Sequence, residues 1–137
     1  MEFGSAQEVE AAFYVAFQKS DLEAMTLIWD DHDAGCIHPF GERIEGKSAI
    51  RQSWQAIFAH DVQLRFTLSD PGVFSGDSQA IHLVRENIRV EESDGVKTMV
   101  VLATNAYRCA DDGWRMILHH ASPAPADSNA VPVGRMH

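Results

Sequence analysis

Of all side chains, imidazole titrates nearest to neutral pH, at about 6.5 unperturbed, so the histidines are the first residues to examine for proton-transfer chemistry. His38 stands directly before Pro39 and Gly41, which force the chain to turn straight after it. A ring at a strand end beside a loop can act as general base or acid; the alternative is a partly buried histidine that only closes a hydrogen bond. His119 and His120 are adjacent on an extended run and point to opposite faces, so they cannot chelate one metal together. Asp30-Asp31-His32-Asp33 carries ligand-type side chains but lacks the spacing of a cation loop, and reads as a solvated helix end. Arg85, Asn87 and Arg89 share one face of a strand; inward they would hold an anionic ligand, outward they are surface, the commoner outcome. Cys36 and Cys109 are too few and too isolated for a disulfide framework or a zinc site. The chain contains no nucleophile elbow, phosphate loop or zinc motif.

The elements that must position these residues follow from periodicity. Val9, Ala12, Phe13, Ala16 and Phe17 draw one apolar stripe along a helix from Ala6 to Lys19. Ser20-Asp21-Leu22-Glu23 fits a capping box that opens a second helix, whose apolar face is Leu22, Met25, Ile28 and Trp29. A short strand from Ala34 to His38 follows, then a third helix from about Ser48 to His60 carrying Ile50, Trp54, Ile57 and Phe58. After His60 the rhythm changes to period two, with extended runs at Val62 to Ser75, Gln79 to Glu91, Val96 to Cys109 and Trp114 to Ala121. The turns between them carry Gly76-Asp77, Ser93-Asp94-Gly95 and Asp111-Asp112-Gly113, all suited to hairpins. Asp70-Pro71-Gly72 predicts a bulge or bend within the first of these strands. Helices first and a meander of long strands after them indicate an α+β domain, with helices on one face of a curved antiparallel sheet. Alternation puts Met99, Val101, Ala103, Asn105 and Tyr107 on one face of the third long strand, and Trp114, Met116, Leu118 and His120 on one face of the last.

Composition sets further bounds. The 137 residues suit one domain, and 45% apolar content suffices for a core. Eleven basic against twenty acidic side chains leave a net charge of −9, which would repel nucleic acid and anionic membranes, so neither is expected as a partner. No run approaches the eighteen apolar residues of a membrane span. Met1 to Ser5 reads as a cloning remnant, residues 6–122 as the domain, and residues 123–137, with Pro123, Pro125 and Pro132, as a loose tail. A reduced cytoplasmic protein is the default expectation.

Three features together carry a family resemblance. They are Ser20-Asp21-Leu22 between two amphipathic helices, Cys36-Ile37-His38-Pro39-Phe40-Gly41 followed by Gly46-Lys47-Ser48-Ala49-Ile50 and Trp54, and the terminal Trp114 to Ser122. Over roughly Gln7 to Pro123 the chain resembles the SnoaL-like, ketosteroid-isomerase-like branch of the nuclear transport factor 2-like superfamily. The resemblance implies a cone-shaped fold with a pocket between helices and sheet, but no single reaction, because members include isomerases, cyclases, dehydratases and association domains. His38-Pro39 stands where the isomerases carry the Asp-Pro whose aspartate is the general base. Asn105 stands where they carry a protonated aspartic acid that donates to an oxyanion. Phe13 takes the place of the oxyanion-hole tyrosine, and Tyr14, about 100° further round the helix, is not expected to replace it. Steroid isomerisation itself is therefore not expected. His120-Ala121-Ser122 also resembles the ending of the calcium/calmodulin-dependent kinase association domain.

These readings combine into one expectation. The cone binds a small, largely apolar or amphipathic molecule against Phe13, Phe17, Trp29, Trp54, Met99, Val101, Tyr107, Trp114 and His120. Cofactor-free proton transfer would use His38 as base, with Asn105 orienting an oxygen. The alternatives are a non-catalytic association module and a carrier. A homodimer through the second sheet face is expected, since three helices can cover only one.

Overall fold

The computed structural model describes residues 2–60 and 62–125. Three helices, α1 (Ala6–Lys19), α2 (Leu22–Ile28) and α3 (Lys47–Phe58), pack on one face of a curved, unclosed sheet. Its strands are β1 (Gly35–Ile37), β2 (Ile44–Glu45), β3 (Gln63–Ser75), β4 (Gln79–Glu92), β5 (Gly95–Ala110) and β6 (Gly113–Pro123), in the order β2-β1-β6-β5-β4-β3. This is the expected α+β cone. Hairpins join β3 to β6 and make them antiparallel, whereas β1 meets β6 in parallel, with Cys36 opposite His119. A tight turn dictates antiparallel pairing; β1 and β6, far apart in sequence, are under no such constraint.

The first helix pair departs from expectation at its joint. Ser20 does not open α2; it closes α1 in the left-handed conformation (φ 54°), its N–H bonding back to Ala16 and Phe17 carbonyls. Asp21 is the N-cap, its carboxylate accepting from the Ala24 N–H at 3.1 Å. The expected Ser20–Glu23 capping box does not form, because Ser20 is already spent ending the preceding helix.

The long strands contain two irregularities. The β3–β4 register shifts between Ser69 and Gly72, with Asp70 at φ 51°, where Asp70-Pro71-Gly72 predicted a bulge. A second shift, between Ala106 and Tyr107, places Leu118 opposite Ala106 but Met116 opposite Tyr107, so Ile117 is the extra residue. Beyond it the faces of β6 exchange. Trp114 and Met116 keep the helix-facing side, but there His119 and Ala121 continue it, and Leu118 and His120 turn outward.

Phe13, Ile28 and Trp54 are fully buried, while Phe17 and Phe58 are half-buried. Phe3 also belongs to the core: its carbonyl accepts from the Trp114 N–H at 2.9 Å and its ring lies 5.5 Å beneath the Arg115 guanidinium. Ser5 caps α1 through a 3.1 Å bond from the Glu8 N–H, so packing begins before residue 6. At the other end Ser122 and Pro123 are in β6, and the Ala124 N–H bonds the Val100 carbonyl at 3.0 Å; the rest of the expected tail, from residue 126, lies outside the described residues. No described helix is long and apolar enough to cross a membrane.

Candidate functional site

Between helices and sheet lies a cavity of about 320 Å³ that is open to solvent on one side. Its walls are mainly apolar: Phe17 from α1, Ile57 from α3, Leu64 and Phe66 from β3, and Ile88 and Val101 from β4 and β5. Into this hydrocarbon surface project three polar side chains, His38, Glu86 and His119. Small-molecule sites commonly have this composition, a greasy wall with few convergent polar groups.

Each polar group is placed by an identifiable local reason. Cys36 and His38 alternate onto the inner side of β1 and the loop that follows, and the Cys36 sulfur lies 3.6 Å from His38 Nε2. The His38 ring stands edge-on to Trp54 at 4.8 Å between centroids. Its Nε2 is 3.0 Å from Ser53 Oγ, and Ser53 donates its one hydrogen to the Ile50 carbonyl at 2.6 Å. His38 Nε2 therefore carries the hydrogen and Nδ1 keeps a lone pair. Burial lowers the His38 pKa, so the ring is neutral at pH 7. Burial pushes the neighbouring Cys36 thiol up to about 12, which keeps it protonated.

Behind the cavity wall runs a chain of buried hydrogen bonds that spans α1 and the sheet. Tyr14 donates its hydroxyl hydrogen to Glu86 Oε2 at 2.5 Å. Asn105 Nδ2 donates to the Tyr14 oxygen at 3.0 Å. Asn105 thus presents Oδ1 to His119 Nδ1 at 2.6 Å, and that nitrogen must carry the hydrogen. The His119 Nε2 is left as an acceptor. Desolvation pushes His119 down to about 3, helped by the nearby His38 and His120, so it too is neutral. Desolvation acts oppositely on the Glu86 carboxyl, raising it to about 7, against the lowering effect of the Tyr14 hydrogen bond. Tyr14 is raised far above its usual range, first by burial and then by Glu86, so its proton stays put.

The expected site residues divide into three groups. His38, Phe17, Met99 and Val101 line the cavity, with Met99 at its exposed margin. Phe13 and Trp54 form the layer beneath, Phe13 against the His119 ring at 4.8 Å and Trp54 against His38. Trp29, Tyr107 and Trp114 pack elsewhere in the core and do not line the cavity. His120 is exposed on the outer face; the bulge around Ile117 puts His119 in the place expected for it. Asn105 is fully buried and does not line the cavity; one amide hydrogen goes to Tyr14 and its oxygen to His119, so it braces the site from behind and does not meet a ligand oxygen there.

Tyr14, Glu86 and His119 were not legible as site residues. Glu86 left one signal: it interrupts the inward series Ala80, His82, Val84, Ile88 of β4, where a carboxylate has no packing reason to be. His82, the other polar residue of that series, is paired with Glu10 at 2.9 Å instead. Tyr14 lies about 100° round α1 from Phe13, yet both side chains are buried. Asp30-Asp31-His32-Asp33 is an ion-paired turn: Asp30 Oδ2 accepts from the His32 and Asp33 N–H groups and from Arg108, and Asp31 pairs with Lys47. No cluster able to hold a metal occurs among the described residues. Arg89 is exposed on the outer face, and Asn87 bonds the β3 carbonyl of Thr67 on that face.

Known proteins share this architecture. A protein of Thiobacillus denitrificans, provisionally named a calcium/calmodulin-dependent protein kinase type II association domain, is 32% identical with a TM-score of 0.77, over 91% of this chain and 99% of its own. A protein of Streptomyces avermitilis, provisionally named a dehydratase of the NTF2-like family, is 29% identical with a TM-score of 0.79, over 86% of this chain and 92% of its own. The F-box protein SKIP8 of Arabidopsis thaliana is 26% identical over 136 residues, which cover 91% of this chain but only 52% of that protein, so the chain spans about half of that relative's length. The SnoaL-like domain pattern matches residues 7–127. The chain belongs to the SnoaL-like domain family, within the NTF2-like superfamily.

Proposed function

We propose that the cone holds a small, largely apolar molecule and carries out cofactor-free proton transfer on it, of isomerase, dehydratase or cyclase type, with His38 as the base. The observation that carries this reading is the convergence of two neutral imidazoles and a carboxyl on one apolar cavity. His38 Nδ1 takes a proton from a substrate C–H, becomes imidazolium, and returns it at a second carbon or to a departing hydroxyl. Asn105 is a positioning residue, holding His119 in the tautomer that keeps Nε2 open. The likeness to the Streptomyces protein named a dehydratase supports the same class.

His38→Ala tests this directly. On a panel of small apolar unsaturated and hydroxylated compounds, amines among them, turnover is expected to fall about two to four orders of magnitude. The unfolding midpoint should hardly move, since the ring is only half-buried. Undiminished turnover in the variant removes His38 from the role, and no turnover by the unaltered protein leaves a carrier.

The second reading, a non-catalytic association module, is favoured by a separate observation. Phe74, Ile81, Leu83 and Leu102 are exposed together on the sheet face turned away from the helices, Phe74 at 61%. A contiguous apolar patch of this kind marks an interface, and a twofold pair of chains is the commonest way to cover it. The likeness to the Thiobacillus protein named an association domain points the same way. Light scattering at micromolar concentration is expected to give twice the 15.2 kDa chain mass; a value near 15.2 kDa contradicts the dimer.

A further inference from the structure

The cavity's polar groups share a property that no single one reveals. With Glu86 ionised, its Oε2 accepts from Tyr14 and its Oε1 has no partner among the described residues. His119 spends its hydrogen on Asn105, and His38 spends its own on Ser53, whose hydrogen is committed to Ile50. Every polar side chain in the wall therefore offers a lone pair, and none offers a hydrogen. No lysine or arginine lines the cavity among the described residues.

Such a lining discriminates among ligand classes. A carboxylate would bring negative charge against Glu86 and meet no donor. A carbonyl oxygen would be desolvated with no donor in the wall to replace its water. An ammonium group brings donors and the charge that Glu86 lacks a partner for, in an apolar setting where charge-assisted bonds are strongest. The net charge of −9 also favours the approach of a cation. Resting on the reading of the cone as a ligand cavity, we propose that its ligand class is a small ammonium ion with an apolar body, the nitrogen held at Glu86 Oε1 and the hydrocarbon against Phe17, Phe66, Ile88 and Val101. His119 Nε2 is the second acceptor available to the bound nitrogen.

Three probes of one shape test this: 2-phenylethylamine, 2-phenylethanol and phenylacetate, titrated calorimetrically at pH 8, above the value of about 7 to which burial raises Glu86. The amine is expected to bind about ten- to a hundredfold tighter than the alcohol, the range of a hydrogen bond to a charged group. Phenylacetate should bind weakest. Glu86→Gln should bring the amine down to about the alcohol's affinity and weaken the alcohol far less than the amine. Equal affinity for amine and alcohol in the unaltered protein overturns the ammonium proposal while leaving the cavity reading in place, as does a preference that survives Glu86→Gln. Failure of all three probes to bind overturns the cavity reading, and the ammonium proposal with it.

Discussion

Glu86→Gln is expected to stabilise the fold by about 3 kcal/mol at pH 8 and to change it little at pH 4.5. The Glu86 carboxyl titrates near 4.5 in an unfolded chain and at about 7 in the folded one, where burial penalises its charge. Between those values the folded protein holds a proton that the unfolded chain has lost, so stability falls as pH rises through that window. The shift of about 2.5 units corresponds to about 3 kcal/mol at 1.36 kcal/mol per unit. Glutamine keeps an acceptor for Tyr14 and cannot ionise, so it escapes the penalty. His119 acts in the opposite direction: its folded pKa is depressed to about 3, so the stability of its neutral buried form is present above about 6.5 and lost as pH falls toward 3. The two slopes oppose each other between pH 4.5 and 6.5, and the pH profile of the unaltered protein alone would conceal both. Urea unfolding of variant and parent side by side at pH 4.5 and pH 8 isolates the Glu86 part. An equal difference at both pH values contradicts it.

Trp54→Ala is expected to cost about 3–5 kcal/mol, the range for removing a large buried aromatic. The indole has no exposed surface and contacts five other rings: Phe17 at 4.7 Å, His38 at 4.8 Å, Phe13 and Phe58 at 5.6 Å, and His119 at 6.1 Å. It braces α3 against α1 and supports both cavity imidazoles, so the loss spreads to the site. Trp54 Nε1 has no hydrogen-bond partner among the described residues, and Trp54→Phe removes that unmet donor along with part of the ring. Trp54→Phe should therefore be much the milder change. Denaturant unfolding measures both; a Trp54→Ala midpoint shift no larger than that of a surface substitution would contradict the packing role. Since small domains hold only about 5–15 kcal/mol, the alanine variant is expected to approach the limit of folding.

The amino-acid sequence by itself determined the elements and their layering. A 3.6-residue apolar rhythm placed α1 over Ala6–Lys19, the change to period two at His60 announced the strands, and Pro71 marked the β3 irregularity. It also put His38 at a strand end, where the cavity lies. These are local properties, written in neighbouring residues.

The tertiary structure alone decided which histidine faces inward and what completes the site. No proline or glycine announces the bulge around Ile117, and one extra residue on a strand reverses every side chain beyond it, exchanging His120 for His119. The Tyr14–Glu86 bond joins residues 72 positions apart, and Asn105 meets Tyr14 across 91. Periodicity says that a position is buried; it does not say which partner across the layers will meet it there. That partner turned Asn105 from an apparent ligand donor into a brace for His119, because a buried amide bonds whatever the fold brings within 3 Å of it.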